Sequence, residues 1–251
     1  MGTMRAFYRV EARRSPGARV LERDGVTAVL TPSAPTQSIL NCVLWERLDA
    51  LAAQLEELAD AYAQAGIANW MVWTTPGDEQ AVALLRAAGH LLEYEPLALH
   101  LDLAGGLRAP APGGPGFELD RDPDPREITA LNEVANGEAP GTFGSAFGGL
   151  RDPAFRRWVA RLDGRPAACL VTFDDGDTTM VQWVATDPLQ QRRRLAGRLL
   201  HAALADARER GIRAATLESS TEGERLYAGL GFQPLGRLGM WLREGLPGDL
   251  P

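Results

Sequence analysis

The residues best suited to chemistry lie between Gln191 and Gly197, QRRRLAG. Three consecutive arginines supply planar, permanently charged forks, the side chains that pair phosphate oxygens two at a time. They stand between a strand and a helix. Thr178–Thr186 is dense in β-branched and aromatic residues, and Asp187-Pro188 cuts the run. Beyond the arginines, Leu195, Leu199, Leu200, Ala203, Leu204 and Ala207 form one apolar stripe, and Gly211 supplies a helix stop. A strand feeding a short loop that opens a helix aims unpaired backbone N–H groups, and the positive end of the helix dipole, at one point. That arrangement suits a phosphate. Further along, Glu218 follows apolar Ala215–Leu217, and Tyr227 lies beyond it; Glu133 and Glu138 stand beside a glycine-rich stretch. These are groups able to move a proton or meet an ammonium.

Two motifs occur in order. Pro188 precedes Gln191 by three residues, and the loop reads Gln191-x-x-Arg194-x-Ala196. Past a second strand, Ile212–Leu217, comes Ser220-x-x-Gly223-x-x-Leu226-Tyr227-x-x-x-Gly231-Phe232. The pair resembles the GNAT (Gcn5-related) N-acetyltransferases, whose loop reads Gln/Arg-x-x-Gly-x-Gly/Ala and whose second motif reads Asn-x-x-Ala-x-x-Leu-Tyr-x-x-x-Gly-Phe. The resemblance runs from Phe117 to Arg243, about half of the chain. Arg194 stands where the first glycine belongs. Placed in the first helical turn, it would have negative φ and no backbone strain.

The resemblance implies acetyl transfer from acetyl-CoA to a primary amine of a small molecule, by direct attack in a ternary complex. It gives Val184, Ala185 and Thr186 to the pantetheine arm. Gln191, Arg192, Arg193, Arg194, Leu195, Ala196, Gly197 and Arg198 would take the pyrophosphate. Ser220 and Tyr227 would lie beside the cofactor, with Tyr227 protonating the departing thiolate. The strand glutamate of many members is missing, since only Met180 and Gln182 lie near that point. Glu218 acting through water is then the candidate base, and Glu133 and Glu138 are candidates for acceptor binding. Two other readings stay open. One is a non-catalytic acyl-CoA-binding sensor or partner protein, favoured by Arg194 and the missing glutamate and opposed by Tyr227. The other is a protein N-terminal acetyltransferase.

The elements that must position these residues imply an α/β chain of two GNAT-like domains, each a mixed central sheet flanked by helices. Residues 1–104 read as a smaller N-terminal domain, 105–116 as a Gly/Pro-rich linker and 117–251 as the catalytic domain. In the first, strands are expected at Gly25–Leu30, Ile39–Trp45 and Asn69–Thr74, helices at Arg47–Ala65 and Asp78–Ala88, and a closing strand at Leu97–Leu103. In the second, a strand at Gly116–Leu119 precedes a helix at Pro125–Asn136 and a glycine-rich loop over 137–150. A short helix at Asp152–Arg161, a strand at Arg165–Asp174 and a turn at Asp175-Gly176-Asp177 follow. Leu58-Ala59-Asp60-Ala61 with Gly66-Ile67 echoes Leu204-Ala205-Asp206-Ala207 with Gly211-Ile212. Leu84-Leu85-x-x-x-Gly89-His90 echoes Leu226-Tyr227-x-x-x-Gly231-Phe232. The echoes point to an internal duplication. The first copy is degenerate: Leu44-Trp45-Glu46-Arg47-Leu48 has no glycine and sets a carboxylate where a phosphate would sit, and Leu85 replaces the tyrosine.

Composition narrows the field. At 251 residues the chain can hold two domains with real cores. A net charge of −7 argues against nucleic acid and favours a cationic amine. No apolar run approaches the roughly 20 residues a membrane span needs, and the opening MGTMRAFYRVEARR is unlike a secretory signal, so a cytoplasmic protein is expected. Cys42 and Cys169 read as reduced core thiols, and His90, His100 and His201 have no ligand spacing, so no metal is expected. All 26 basic residues are arginine, which excludes lysine chemistry. Monomer and homodimer both remain open.

Overall fold

The computed structural model describes residues 1–13, 15–107, 116–144 and 146–245, without the side chains of 146–148. The linker expected over 105–116 lies mostly outside them. The chain begins with α1 (Gly2–Ala12), β1 (Arg19–Arg23), β2 (Val26–Leu30) and β3 (Cys42–Trp45). Next come α2 (Leu48–Gln64), β4 (Asn69–Thr74), α3 (Glu79–Ala87), β5 (Leu91–Tyr94) and β6 (Leu97–Asp102). Then follow β7 (Phe117–Asp120), α4 (Pro125–Asn136), β8 (Phe155–Leu162), β9 (Arg165–Asp175) and β10 (Thr178–Thr186). The last elements are α5 (Leu195–Glu209), β11 (Ala214–Ser219), α6 (Glu224–Leu230), β12 (Gln233–Arg237) and β13 (Gly239–Glu244). Among the described residues, no helix is long and apolar enough to cross a membrane.

The chain divides into two compact units, one of Met1–Pro96 with the segment that starts at Gly236, the other of Leu97–Leu235. Each is built on one sheet, in the order β1-β2-β3-β4-β13-β5 and β7-β8-β9-β10-β11-β6-β12 respectively. The pairing senses repeat. β1-β2-β3 and β8-β9-β10 are antiparallel ladders, while β3–β4 and β10–β11 are parallel pairs joined through α2 and α5. In both, an antiparallel strand follows: β13 beside β4, β6 beside β11.

β6 therefore departs from expectation. It does not close the first sheet; it pairs along β11 from Leu97↔Ser219 to Asp102↔Ala214, and β13 takes the matching place in the first sheet. Glycine and proline density marks where a chain is loose, but only long-range pairing decides which sheet a strand joins. The expected helix at Asp152–Arg161 is also overturned, because Phe155–Leu162 is β8, paired along β9. Phe155, Trp158, Val159 and Leu162 fall at helical spacing, and ladder pairing overrides that local pattern. The first part of the expected strand Ile39–Trp45 is a 3-10 turn, Ser38–Leu40. Helix α1, with Met4, Phe7 and Tyr8 buried, was not anticipated.

Local chemistry accounts for the helices that matter most. In α4 the Asp124 side chain accepts from Arg126 N–H, Pro125 opens the first turn and Gly137 closes it at φ 71°. In α5 the buried residues are Leu195, Leu199, Leu200, Ala203, Leu204 and Ala207, the stripe read from sequence. They pack on Leu99, Leu101, Leu170, Val181, Ala215 and Leu217 of the sheet.

In the first unit His90 is buried, with its ring edge-on to Trp70 at 4.8 Å. Burial, assisted by the charge of Arg243, lowers its pKa to about 4. An unfolded histidine takes up its proton near 6.5, so the neutral form supports the fold fully above that pH and less as pH falls toward 4. The loss reaches about 3 kcal/mol at most. Urea unfolding across pH 7 to 4 should show this decline, and His90→Phe should flatten it.

Candidate active site

β10 and β11 run side by side for only three pairs, Thr178↔Ala214, Thr179↔Ala215 and Met180↔Thr216. Beyond them each strand follows its other neighbour. β11 stays with β6 as far as Ser219, and β10 stays with β9 as far as Thr186. The edge of β10 that faces β11 is thus unpaired from Val181 onward. Parallel strands that part in this way leave a crevice at their carboxyl ends, where α/β folds bind ligands. A bulge between Gln182 and Ala185 bends β10 further, with Trp183 at φ 55°. Val184, Ala185 and Thr186 lie in the stretch of β10 beyond its pairing with β11.

The loop departs from expectation at one residue. Arg194 is not within the helix but caps it, at φ 61° and ψ 22°, and Arg192 also has φ 61°. The chain leaves Gln191 extended and must turn into α5 within three residues, which takes two left-handed steps. Arg194 thus adopts the conformation that glycine supplies freely, at a cost of about 1–2 kcal/mol. Gln191, Arg192, Arg193 and Arg194 are all exposed. The first bond of α5 runs from Arg198 N–H to Arg194 C=O at 3.2 Å, so the N–H groups of Leu195, Ala196 and Gly197 have no partner within the helix. The Leu195 side chain is buried and contributes nothing but its backbone. At Gly197 a Cβ would press on Leu226 Cδ1 at 3.3 Å, so this glycine serves the approach of α6. Arg198 carries its guanidinium 3.4 Å over the Phe117 ring, which occupies the side chain expected to meet phosphate.

At the end of β11, Glu218 is partly open to solvent yet deep within protein. Burial pushes its pKa up to about 7, against the hydrogen bond that Gln182 Nε2 donates to Oε2 at 2.5 Å. Tyr227 is buried, and its phenol is held above the ordinary range by burial and then by the charge of Glu218. A Cβ at Gly223 would stand 2.9 Å from the Tyr227 ring, so glycine there lets the ring lie against the start of α6. Ser220 is exposed; its carbonyl accepts from Gly223 N–H at 3.0 Å and from the Ser219 hydroxyl at 2.7 Å.

Residues 120–232 match the model of the acetyltransferase (GNAT) family. The chain carries a GNAT domain. No curated protein matches it in sequence. Solved structures resemble the whole chain. A GCN5-related N-acetyltransferase from Kribbella flavida is 20% identical over 98% of both chains, with a TM-score of 0.69. A tandem GNAT protein from the clavulanic acid biosynthesis pathway is 17% identical over 97% of this chain and 89% of its own, with a TM-score of 0.62. A GCN5-related N-acetyltransferase from Sphaerobacter thermophilus is 16% identical over 90% of this chain and 84% of its own, with a TM-score of 0.63. At these identities the likeness is one of fold.

The GNAT domain also corrects the reading of Glu133. This carboxylate is buried and accepts from Gly141 N–H at 3.0 Å and Phe143 N–H at 2.9 Å, so both oxygens fasten the glycine-rich loop and are not open to an ammonium. Glu138 is half-buried at the start of that loop. Two residues the sequence did not single out border the bulge. Asn132 is buried on α4 and donates to the Trp183 carbonyl at 3.3 Å, and Phe143 lies 5.9 Å from the Trp183 ring. A polar residue of poor helix propensity on a core-facing turn was the available signal for Asn132.

In the first unit the equivalent place is shut. Only Glu46 and Arg47 join β3 to α2, and the Trp45 indole N–H crosses to the Trp73 carbonyl at 2.8 Å, bridging the two strands. Arg47 is held by Asp24 at 3.0 Å and Asp49 at 3.3 Å, and Glu46 pairs with Arg5.

Arg194→Gly should stabilise the protein by about 1 kcal/mol by removing the left-handed strain, less the entropy that glycine adds to the unfolded chain. Arg194→Ala keeps the strain and should give no gain. Chemical unfolding of both variants beside the parent checks the assignment.

Proposed function

We propose that the second unit binds acetyl-CoA in the gap between β10 and β11 and transfers its acetyl group to a primary amine of a small molecule. The observation that carries this reading is the parting of the two strands directly before a helix with free N–H groups. An extended, amide-bearing arm suits an unpaired strand edge, and a pyrophosphate suits the N-terminus of α5 with Arg192, Arg193 and Arg194 around it. The GNAT match supports the same donor.

In this reading the amine nitrogen attacks the thioester carbon, so the N–C bond forms and the C–S bond breaks. The amine proton leaves to Glu218, directly or through one water, and the Tyr227 phenol gives its proton to the departing thiolate. Glu218 with a pKa near 7 suits a base at neutral pH. Tyr227, held above its ordinary range, stays protonated throughout and is always ready to donate. Alignment and backbone donors supply most of the acceleration. The small-molecule acceptor rests on the carboxylate at the gap and the acidic charge of the chain, −7.

Calorimetric titration with coenzyme A should give heat and thermal protection, both abolished when Arg192 and Arg193 become Glu. Neither heat nor protection in the parent protein would end the donor reading. Because a carboxylate accepts a proton only when ionised, kcat/KM should rise with pH through about 7 and then level. Glu218→Gln should lose that rising limb and roughly 100-fold in kcat while keeping its affinity for coenzyme A. A rising limb that survives in Glu218→Gln would assign the base elsewhere.

A further inference from the structure

The bulge of β10 is held from outside the strand. Trp183 has φ 55°, which an aromatic residue rarely adopts without surrounding support. Its carbonyl is turned toward α4 and β9, where it accepts from Asn132 Nδ2 at 3.3 Å and from the Cys169 thiol at 3.5 Å. Asn132 is 4% exposed, and its amide nitrogen is anchored by the Ile128 carbonyl at 2.8 Å, one helical turn earlier. The carboxamide therefore cannot swing away without abandoning a second bond.

The peptide that joins Trp183 to Val184 is trans, and a trans peptide points its N–H opposite to its C=O. With the carbonyl committed to Asn132 and the β9 side, the Val184 N–H faces the other way, toward the unpaired edge of β10 beside β11. We propose that Asn132 is a positioning residue: by fixing the Trp183 carbonyl, it aims the Val184 N–H into the gap as the donor to the thioester oxygen. Developing negative charge on that oxygen gains most from a donor already oriented before reaction. Asn132 touches neither substrate; it acts through one peptide plane. This inference rests on the donor reading above.

The test uses acetyl-CoA labelled with carbon-13 at the carbonyl and the full-length protein. In the parent, difference infrared spectroscopy should show the bound thioester carbonyl shifted to lower frequency, the signature of a hydrogen bond to its oxygen. Asn132→Leu should return that band to the free position and lower kcat by roughly 10- to 100-fold. The dissociation constant of coenzyme A should stay within about twofold, since the loop at Gln191–Gly197 is untouched. Asn132→Asp has the same size, lacks the donor and repels the carbonyl, and it carries the same expectation should the leucine variant fail to fold. A band that stays at the parent's lowered frequency with unchanged kcat in either variant, or a loss of coenzyme A affinity in step with kcat, would overturn the assignment of Asn132 alone. Absence of acetyl-CoA binding to the parent would overturn the donor reading and this inference with it.

Discussion

The second unit depends on an unpaired strand edge. Main-chain N–H and C=O groups seek partners, and two adjacent parallel strands would ordinarily pair along their whole length. Here β10 and β11 stop after Met180↔Thr216. They are kept apart because each is better held on its other side. β11 is bonded over its full length to β6, and β10 is bent by its bulge and pinned through Trp183 to α4. Left-handed Trp183, Arg192 and Arg194 all lie where the chain borders the gap, whereas Asp163 takes the same conformation in the turn between β8 and β9.

The first unit repeats the sheet and the early end of its parallel pair, since β3 and β4 pair only at Cys42↔Met71 and Val43↔Val72, but the Trp45 indole crosses the space beyond them. Strand order and pairing sense repeat, including the antiparallel strand supplied from the other half of the sequence. What differs is local. The turn between β3 and α2 is only Glu46 and Arg47, and the Trp45 indole spans from β3 to the Trp73 carbonyl of β4. With Glu46 and Arg47 already in ion pairs, no free charge remains at that turn for a phosphate. This unit keeps a core of its own, with Trp70, Trp241, Tyr62 and Leu85 buried.

Much of this was legible in sequence wherever local pattern and tertiary structure agree. The leucine stripe of α5, the strand at Thr178–Thr186 and the span of α4 were all readable, because each rests on local spacing and composition. The failures share a cause. β8 has helical spacing but a strand's partners, and the sheet that β6 joins is decided by residues more than a hundred positions away. Arg194 was read as helical because nothing in an arginine announces a positive φ. Glu133 was a candidate for binding the acceptor, since sequence does not reveal that its two oxygens already accept from backbone N–H groups.

The carboxylate at the gap raises a question of placement. Many GNAT proteins set a glutamate on the strand that occupies the place of β10; this chain has Gln182 there and Glu218 across the gap on β11. The two side chains meet in one hydrogen bond, so the polar contact is kept and the charge is moved to the other strand. The amide matters to the energetics. A second carboxylate at 182 would lie against Glu218 and drive its pKa further up, until one of the two held a proton at neutral pH. A glutamine instead donates to Glu218 and restrains the rise that burial causes, which leaves the acid near 7. Burial by itself would give a carboxyl too reluctant to ionise, and full solvation one too weak to take a proton from an amine. The pairing of Gln182 with a half-enclosed Glu218 sits between those limits, and it does so across the same pair of strands that part after Met180↔Thr216.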